Sequence, residues 1–147
     1  MYHYRGAGLD NVYLKNGYRK IKYGREVAVA VEDAAGLHRV IAAQLIHKPG
    51  TLTSQEFRFL RIEMGLSQQR LGKLLGVGEQ SVHQWENRKT KRIPGAAERT
   101  MRLLAGEQLL KTNGKVARLL NELAELDKTV TKQMCFEETH GGWAAAA

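Results

Sequence analysis

Apolar positions alternate at period two through the first third of the chain and recur at helical spacing through most of the remainder. Asn11–Leu14, Tyr18–Tyr23 and Glu26–Val31 are β-rich runs separated by the turn signals Lys15-Asn16-Gly17 and Gly24-Arg25. Within the third run Val27, Val29 and Val31 share one face and Ala28 and Ala30 the other, which predicts a half-buried strand and, with its neighbours, a small meander. Tyr2, Tyr4, Tyr13, Tyr18 and Tyr23 fit such a sheet as packing pairs better than as a base-stacking face. Leu37, Val40, Ile41 and Leu45 then mark a helix over Ala34–His47, stopped by Lys48-Pro49-Gly50. That Pro-Gly pair is also the natural boundary between two parts of the chain.

Beyond it every periodic segment is helical. Thr53 and Glu56 form a capping box, with Leu52 and Phe57 as the flanking staple, ahead of Phe59, Leu60, Ile62 and Met64 and a stop at Gly65. Ser67 caps a short helix carrying Leu71, Leu74 and Leu75, closed by Gly76. A third helix, Glu79–Asn87, turns Val82 and Trp85 inward and Gln80, Ser81, His83 and Gln84 outward. A fourth spans Gly95–Leu110 with Met101, Leu103, Leu104 and Leu109. A fifth, Val116–Leu126, has the stripe Val116, Leu119, Leu120, Leu123 and Leu126, suited either to folding back on the core or to dimerisation. The segment 136–147 reads as a short strand or as disorder. The expected fold is α+β: a small N-terminal β-meander plus helix, followed by an all-α bundle of four to five helices. Its organisation is expected as a partner-binding or dimerising module at 1–50, the helical domain at 51–112 and a C-terminal helix and tail at 113–147.

Charge narrows the class. The 147 residues hold 23 Lys and Arg against 15 Asp and Glu, a net charge of +8, which favours a polyanionic partner over a neutral one. Cys135 is the only cysteine, so neither an intrachain disulfide nor a multi-cysteine zinc site can be built. His3, His38, His47, His83 and His140 lack metal-ligand spacing and read as surface residues, His83 excepted by its place on the third helix. Gly6-Ala7-Gly8 follows no strand and opens no helix, so it is a turn and not a phosphate cradle. No nucleophile–base pair or carboxylate dyad stands at meaningful spacing, and neither enzymatic activity nor a cofactor is expected. No apolar run is long enough to span a membrane, which fits a cytoplasmic, nucleoid-associated protein with no membrane partner.

The chemistry concentrates between Leu66 and Pro94. Two short helices must cross closely if the second is to project into a groove, and Gly72 and Gly76 permit the approach while Leu71, Leu75, Val77, Val82 and Trp85 form a wedge that sets the angle. Outside that wedge stand Gln68, Gln69, Gln80, Ser81 and Gln84, amides and a hydroxyl suited to base edges; a Gln amide matches N6 and N7 of adenine. Glu79 can accept from cytosine N4 or simply favour the helix dipole. His83 lies within reach of a phosphate or base, and Asn87, Arg88, Lys89, Lys91 and Arg92 form a run placed for the phosphate backbone. Taken singly, each glutamine is better explained as a solvated side chain of an ordinary bundle; only together with the Gly72, Gly76, Val82 and Trp85 spacing, the caps and the basic run do they point to DNA.

The segment 66–94 resembles the helix-turn-helix of regulators of the Cro and phage-repressor type, the xenobiotic-response-element (XRE) family. That resemblance implies base or adjacent phosphate contacts at Gln68, Gln80, Ser81 and Gln84, double-stranded DNA as the partner, and a homodimer on paired half-sites. It departs from the family at Gly78, where Ser or Thr usually caps the reading helix, at Glu79, acidic in the first turn of that helix, and at Arg88, where a glycine is common, so that Asn87 is left to supply the left-handed turn. The implied function is a sequence-specific transcriptional regulator, a repressor. An antitoxin whose 1–50 module binds a toxin protein while the helix-turn-helix autoregulates the operon is the alternative, and a charge-driven structural nucleic-acid binder is a third reading.

Overall fold

The computed structural model describes residues 1–87, 92–111, 114–125 and 134–146. In chain order these form β1 (Tyr2–His3), β2 (Tyr13–Leu14), β3 (Tyr18–Tyr23), β4 (Glu26–Val31), α1 (Ala34–Ile46), α2 (Ser54–Glu63), α3 (Gln68–Leu75), α4 (Glu79–Asn87), α5 (Gly95–Leu109), α6 (Lys115–Glu125), β5 (Phe136–Thr139) and β6 (Gly142–Ala145). The mixed α+β class is as the sequence pattern predicts.

Local chemistry sets the helix ends. The Thr53 hydroxyl accepts from the Glu56 amide at 3.2 Å, and Glu56 Oε1 accepts from the Thr53 amide at 2.8 Å, completing the expected capping box. Helix α2 stops in a Schellman arrangement: Leu66 N donates to Arg61 O (3.2 Å), Gly65 N donates to Ile62 O (2.9 Å), and Gly65 holds φ 70°. Helix α3 repeats the pattern. Ser67 Oγ accepts from Arg70 N at 3.0 Å, Val77 N donates to Gly72 O at 2.8 Å, and Gly76 sits at φ 73°. Two helices are thereby cut to length within 24 residues of chain, and α4 follows at once.

The core lies where α2 packs on α4 and α5 and α3 packs on α4 and α6. Phe57, Leu60, Leu71, Val82 and Met101 are fully buried in it, and Leu9, Ala42, Leu45 and Leu52 belong to the same cluster. Residues from both sides of Pro49-Gly50 thus share one apolar interior. The junction is tied electrostatically as well. Buried Glu98 accepts from the Leu52 amide (3.0 Å) and from Arg102, whose guanidinium also donates to Lys48 O (2.7 Å) and Gly50 O. The Lys48 and Gly50 carbonyls past the end of α1 are thus both met by one charged donor.

The N-terminal strands depart from the expected meander. β2 pairs with β1, in the register Tyr2↔Leu14 and His3↔Tyr13, and not with β3, so there are separate two-stranded ribbons and no continuous sheet. β3 and β4 form a hairpin with Tyr23↔Glu26 bracketing Gly24-Arg25, and Gly24 supplies the positive φ (58°) that a two-residue turn needs. The half-buried valine face holds only at the base. Val29 and Val31 are partly covered, but Val27 is 55% exposed and Tyr23 67%, because no second layer lies over the tip. Tyrosine packing appears near the base, with Tyr2 and Tyr18 ring centroids 5.1 Å apart, and Tyr13 stacks on His3 at 4.6 Å.

Helix α6 folds back. Glu107 on α5 accepts from the Val116 and Ala117 amides (3.0 and 2.6 Å), capping its first turn, and Ala117, Leu120 and Ala124 pack on the core. Of the two uses expected for its stripe, folding back is the one seen; the side chains of Leu119 and Leu123, and Leu126 entirely, lie outside the described residues. The segment expected as a strand or as disorder is the β5–β6 hairpin, paired from Phe136↔Ala145 to Thr139↔Gly142. Among the described residues no helix is long and apolar enough to cross a membrane.

Candidate nucleic-acid interface

Helix α4 is held hard on one side and bare on the other. On the inner side Val82 is fully buried, and Trp85 meets Phe57 of α2 edge to face, centroids 6.0 Å apart at 88°. Glu86, whose side chain is 0% exposed, receives Arg61 Nε at 2.6 Å and the second guanidinium nitrogen at 2.9 Å, while Arg61 also donates to Leu66 O at 2.9 Å. This bidentate pair fixes the rotation of α4 against α2 and, through Leu66, the start of α3. Gly72 completes the clamp. A Cβ there would stand 2.8 Å from the Val77 carbonyl oxygen, so α3 can approach the turn backbone only because the residue is glycine.

On the outer side Gln80, His83, Gln84 and Asn87 are exposed at spacings of three and four, one continuous row along the helix. No hydrogen bond among the described residues engages the side chain of Gln80 or Gln84, so both amides are available to a ligand. Glu79 is exposed in the first turn and Ser81 half-buried beside it; the Gly78 carbonyl accepts from Ser81 N at 3.1 Å. Gln69 is exposed at the start of α3. Gln68 is different. It is half-buried, and its Nε2 donates to Glu86 Oε1 at 3.2 Å, so the amide is oriented by the ion pair.

Asn87 does not make the left-handed turn expected of it. The residue is the last of α4, outside the positive-φ set, and its Nδ2 donates to the His83 carbonyl at 2.8 Å, satisfying an acceptor of the final turn. Arg92 is exposed just ahead of buried Ile93; Arg88, Lys89 and Lys91 lie outside the described residues.

Two features beside the row were not foreseen. The first is a chain of hydrogen bonds: Tyr4 Oη to His38 Nε2 at 2.7 Å, then His38 Nδ1 to Glu63 Oε1 at 2.6 Å. Glu63 accepts, so Nδ1 carries a proton, and in the neutral ring Nε2 accepts from the Tyr4 hydroxyl. Burial, then the Glu63 charge and Tyr2, raise the Tyr4 pKa above its usual value. His38 is thus half-buried and engaged, and not the surface residue expected. The second is a cleft of about 450 Å³ that Gly6, Ala7 and Gly8 share with Arg58 and Phe59 of α2 and with Asn87 at the end of α4.

Sequence signals for these were partial. Glu86 lies four residues after Val82, and Glu98 three before Met101, each on the inward face of its helix. A carboxylate in such a place implies a cation nearby, although which one is not written locally. His38 carried no signal, since its partners are 34 and 25 residues away.

No curated protein and no solved structure matches the chain. Residues 57–97, from α2 to the start of α5, match the Helix-turn-helix family model, and the match encloses the segment 66–94 that resembles the Cro and phage-repressor type.

Proposed function

We propose that the chain is a sequence-specific transcriptional repressor that lays α4 in the major groove of duplex DNA. The observation that carries this reading is the two-sided character of α4: its inner face is anchored by Val82, Trp85 and Glu86, and its outer face presents Gln80 and Gln84 with no competing partner. In this role Gln80, Ser81 and Gln84 contact base edges. Gln68, held by Glu86, contributes at the edge of the groove with Gln69, and Glu79 accepts from cytosine or favours the helix dipole. His83, Asn87, Arg88, Lys89, Lys91 and Arg92 take the phosphate backbone and set register. A homodimer on half-sites about 34 Å apart completes the arrangement.

The test is fluorescence anisotropy of the full chain against duplex from its own upstream region and a scrambled duplex, for wild type and Gln84→Ala. Tighter binding to the upstream duplex, weakened by about 1–3 kcal/mol in the variant, is the expected result. Equal affinity for both duplexes, unmoved by the substitution, defeats base readout. Co-purification of a small neighbouring gene product with the chain would redirect the reading to an autoregulating antitoxin.

A further inference from the structure

We infer that the β3–β4 ribbon is a second nucleic-acid contact, gripping phosphates that flank the duplex read by α4; this rests on the DNA-binding reading above. The distribution of charge is the starting point. Across α2 to α4, residues 54–87, cations and carboxylates balance, with Arg58, Arg61, Arg70 and Lys73 offset by Glu56, Glu63, Glu79 and Glu86. Residues 32–53 and 95–147 balance as well. The whole surplus of +8 therefore resides in two stretches of sequence, half in residues 88–92 and half in residues 1–31. A reading head that is itself neutral needs outside cations to hold a polyanion, and the basic run 88–92 is only half of what the chain has.

Most of the second half sits on the ribbon. Arg19, Lys20, Lys22 and Arg25 are all exposed there, against a single carboxylate, Glu26. Register places Lys20 and Lys22 on one face, opposite Val29 and Val27, and Arg19 on the other, opposite Ala30, with Arg25 in the turn. Cations on both faces and at the tip suit a ribbon flanked by phosphates, and the small partners Ala28 and Ala30 keep it thin. The ribbon also lacks another evident use in the monomer. Tyr23 and Val27 are bare at its tip, and an isolated two-stranded hairpin is only marginally stable without a partner.

Its root is joined to the helical unit through the N-terminal segment. Tyr2 packs on Tyr18 at the ribbon base, Tyr4 binds His38, and the Gly6–Gly8 loop shares a cleft with Asn87 at the end of α4. Six residues per strand at about 3.3 Å each give a reach of roughly 20 Å, more than half a turn of duplex.

The test is a salt series of binding by the full chain to its own upstream duplex and to a random duplex, comparing wild type, Lys20→Gln/Lys22→Gln/Arg25→Gln, the charge-preserving Lys20→Arg/Lys22→Arg, and Gln84→Ala. The neutralised ribbon should flatten the log–log salt dependence by about 2 to 3 on both duplexes, near 0.9 for each phosphate lost, and leave the preference between them intact. The charge-preserving variant should keep the wild-type slope, and Gln84→Ala should change the preference without changing the slope. An unchanged slope in the neutralised ribbon overturns the inference alone. If that variant instead alters the oligomeric mass at constant slope, the ribbon is a protein-pairing surface and the inference is equally overturned. Failure of the wild type to bind either duplex removes this inference and the DNA-binding reading together.

Discussion

The helical unit α2–α4 and the β3–β4 ribbon solve opposite problems. The unit is electrically balanced and built around side chains with no exposure, such as Phe57, Leu71 and Val82, so its geometry is specified by packing. The ribbon is positively charged and buries little, so backbone pairing and a two-residue turn define it. The difference teaches that shape and attraction are separable in this molecule: one region positions the exposed glutamine face of α4, and the net charge is carried elsewhere.

The contrast breaks most visibly under truncation. Phe57→Ala, with a fully buried ring against Trp85, should cost about 3–5 kcal/mol in denaturant unfolding, whereas Val27→Ala on the ribbon should cost under about 0.5 kcal/mol. Comparable losses for the two would mean that the ribbon is structural. Next in size is Glu86→Gln, which removes the carboxylate that pairs with Arg61 in a site with no side-chain exposure. A loss of about 3 kcal/mol in chemical denaturation is expected, because the Arg61 guanidinium loses its charged partner. Gly72→Ala should follow at about 1–3 kcal/mol, since the added methyl meets backbone at 2.8 Å; the matched change Gly78→Ala, with open space around it, provides the control.

The smallest effect is alkaline. Tyr4 has its pKa raised above the ordinary 10.0, so the folded chain keeps a proton that the unfolded chain has already lost. Its contribution is complete below pH 10 and disappears as pH climbs through the folded value. Stability should therefore decline more steeply above pH 10 in wild type than in Tyr4→Phe, measured by urea unfolding at a series of alkaline pH values. Identical slopes would show that Tyr4 titrates as it does in the unfolded chain.

What could be read from the sequence was what local chemistry decides. Thr53, Ser67, Gly65 and Gly76 fix the ends of α2 and α3 through bonds to residues at most five positions away, and the phase of α4 follows from Val82 and Trp85. The exposure of Gln80 and Gln84 came with that phase. The β1–β2 pairing did not, because Tyr2 and Leu14 carry no register signal across a loop. The restraint on Gln68 was hidden too, since Glu86 lies 18 residues on and its role depends on Arg61. Long-range polar pairing is decided by how elements meet, and pattern along one strand or helix does not encode it.

The Arg102 contacts at the end of α1 bear on how the chain responds to proteases. Lys48-Pro49-Gly50 has the composition of a flexible linker, and such segments are the usual sites of nicking. Here the carbonyls of Lys48 and Gly50 are both taken by one guanidinium, itself held by buried Glu98. A protease must bind its substrate as an extended strand with those carbonyls free. The peptide that looks most cuttable in the sequence is therefore among the better guarded, and it becomes vulnerable only when α5 lets go.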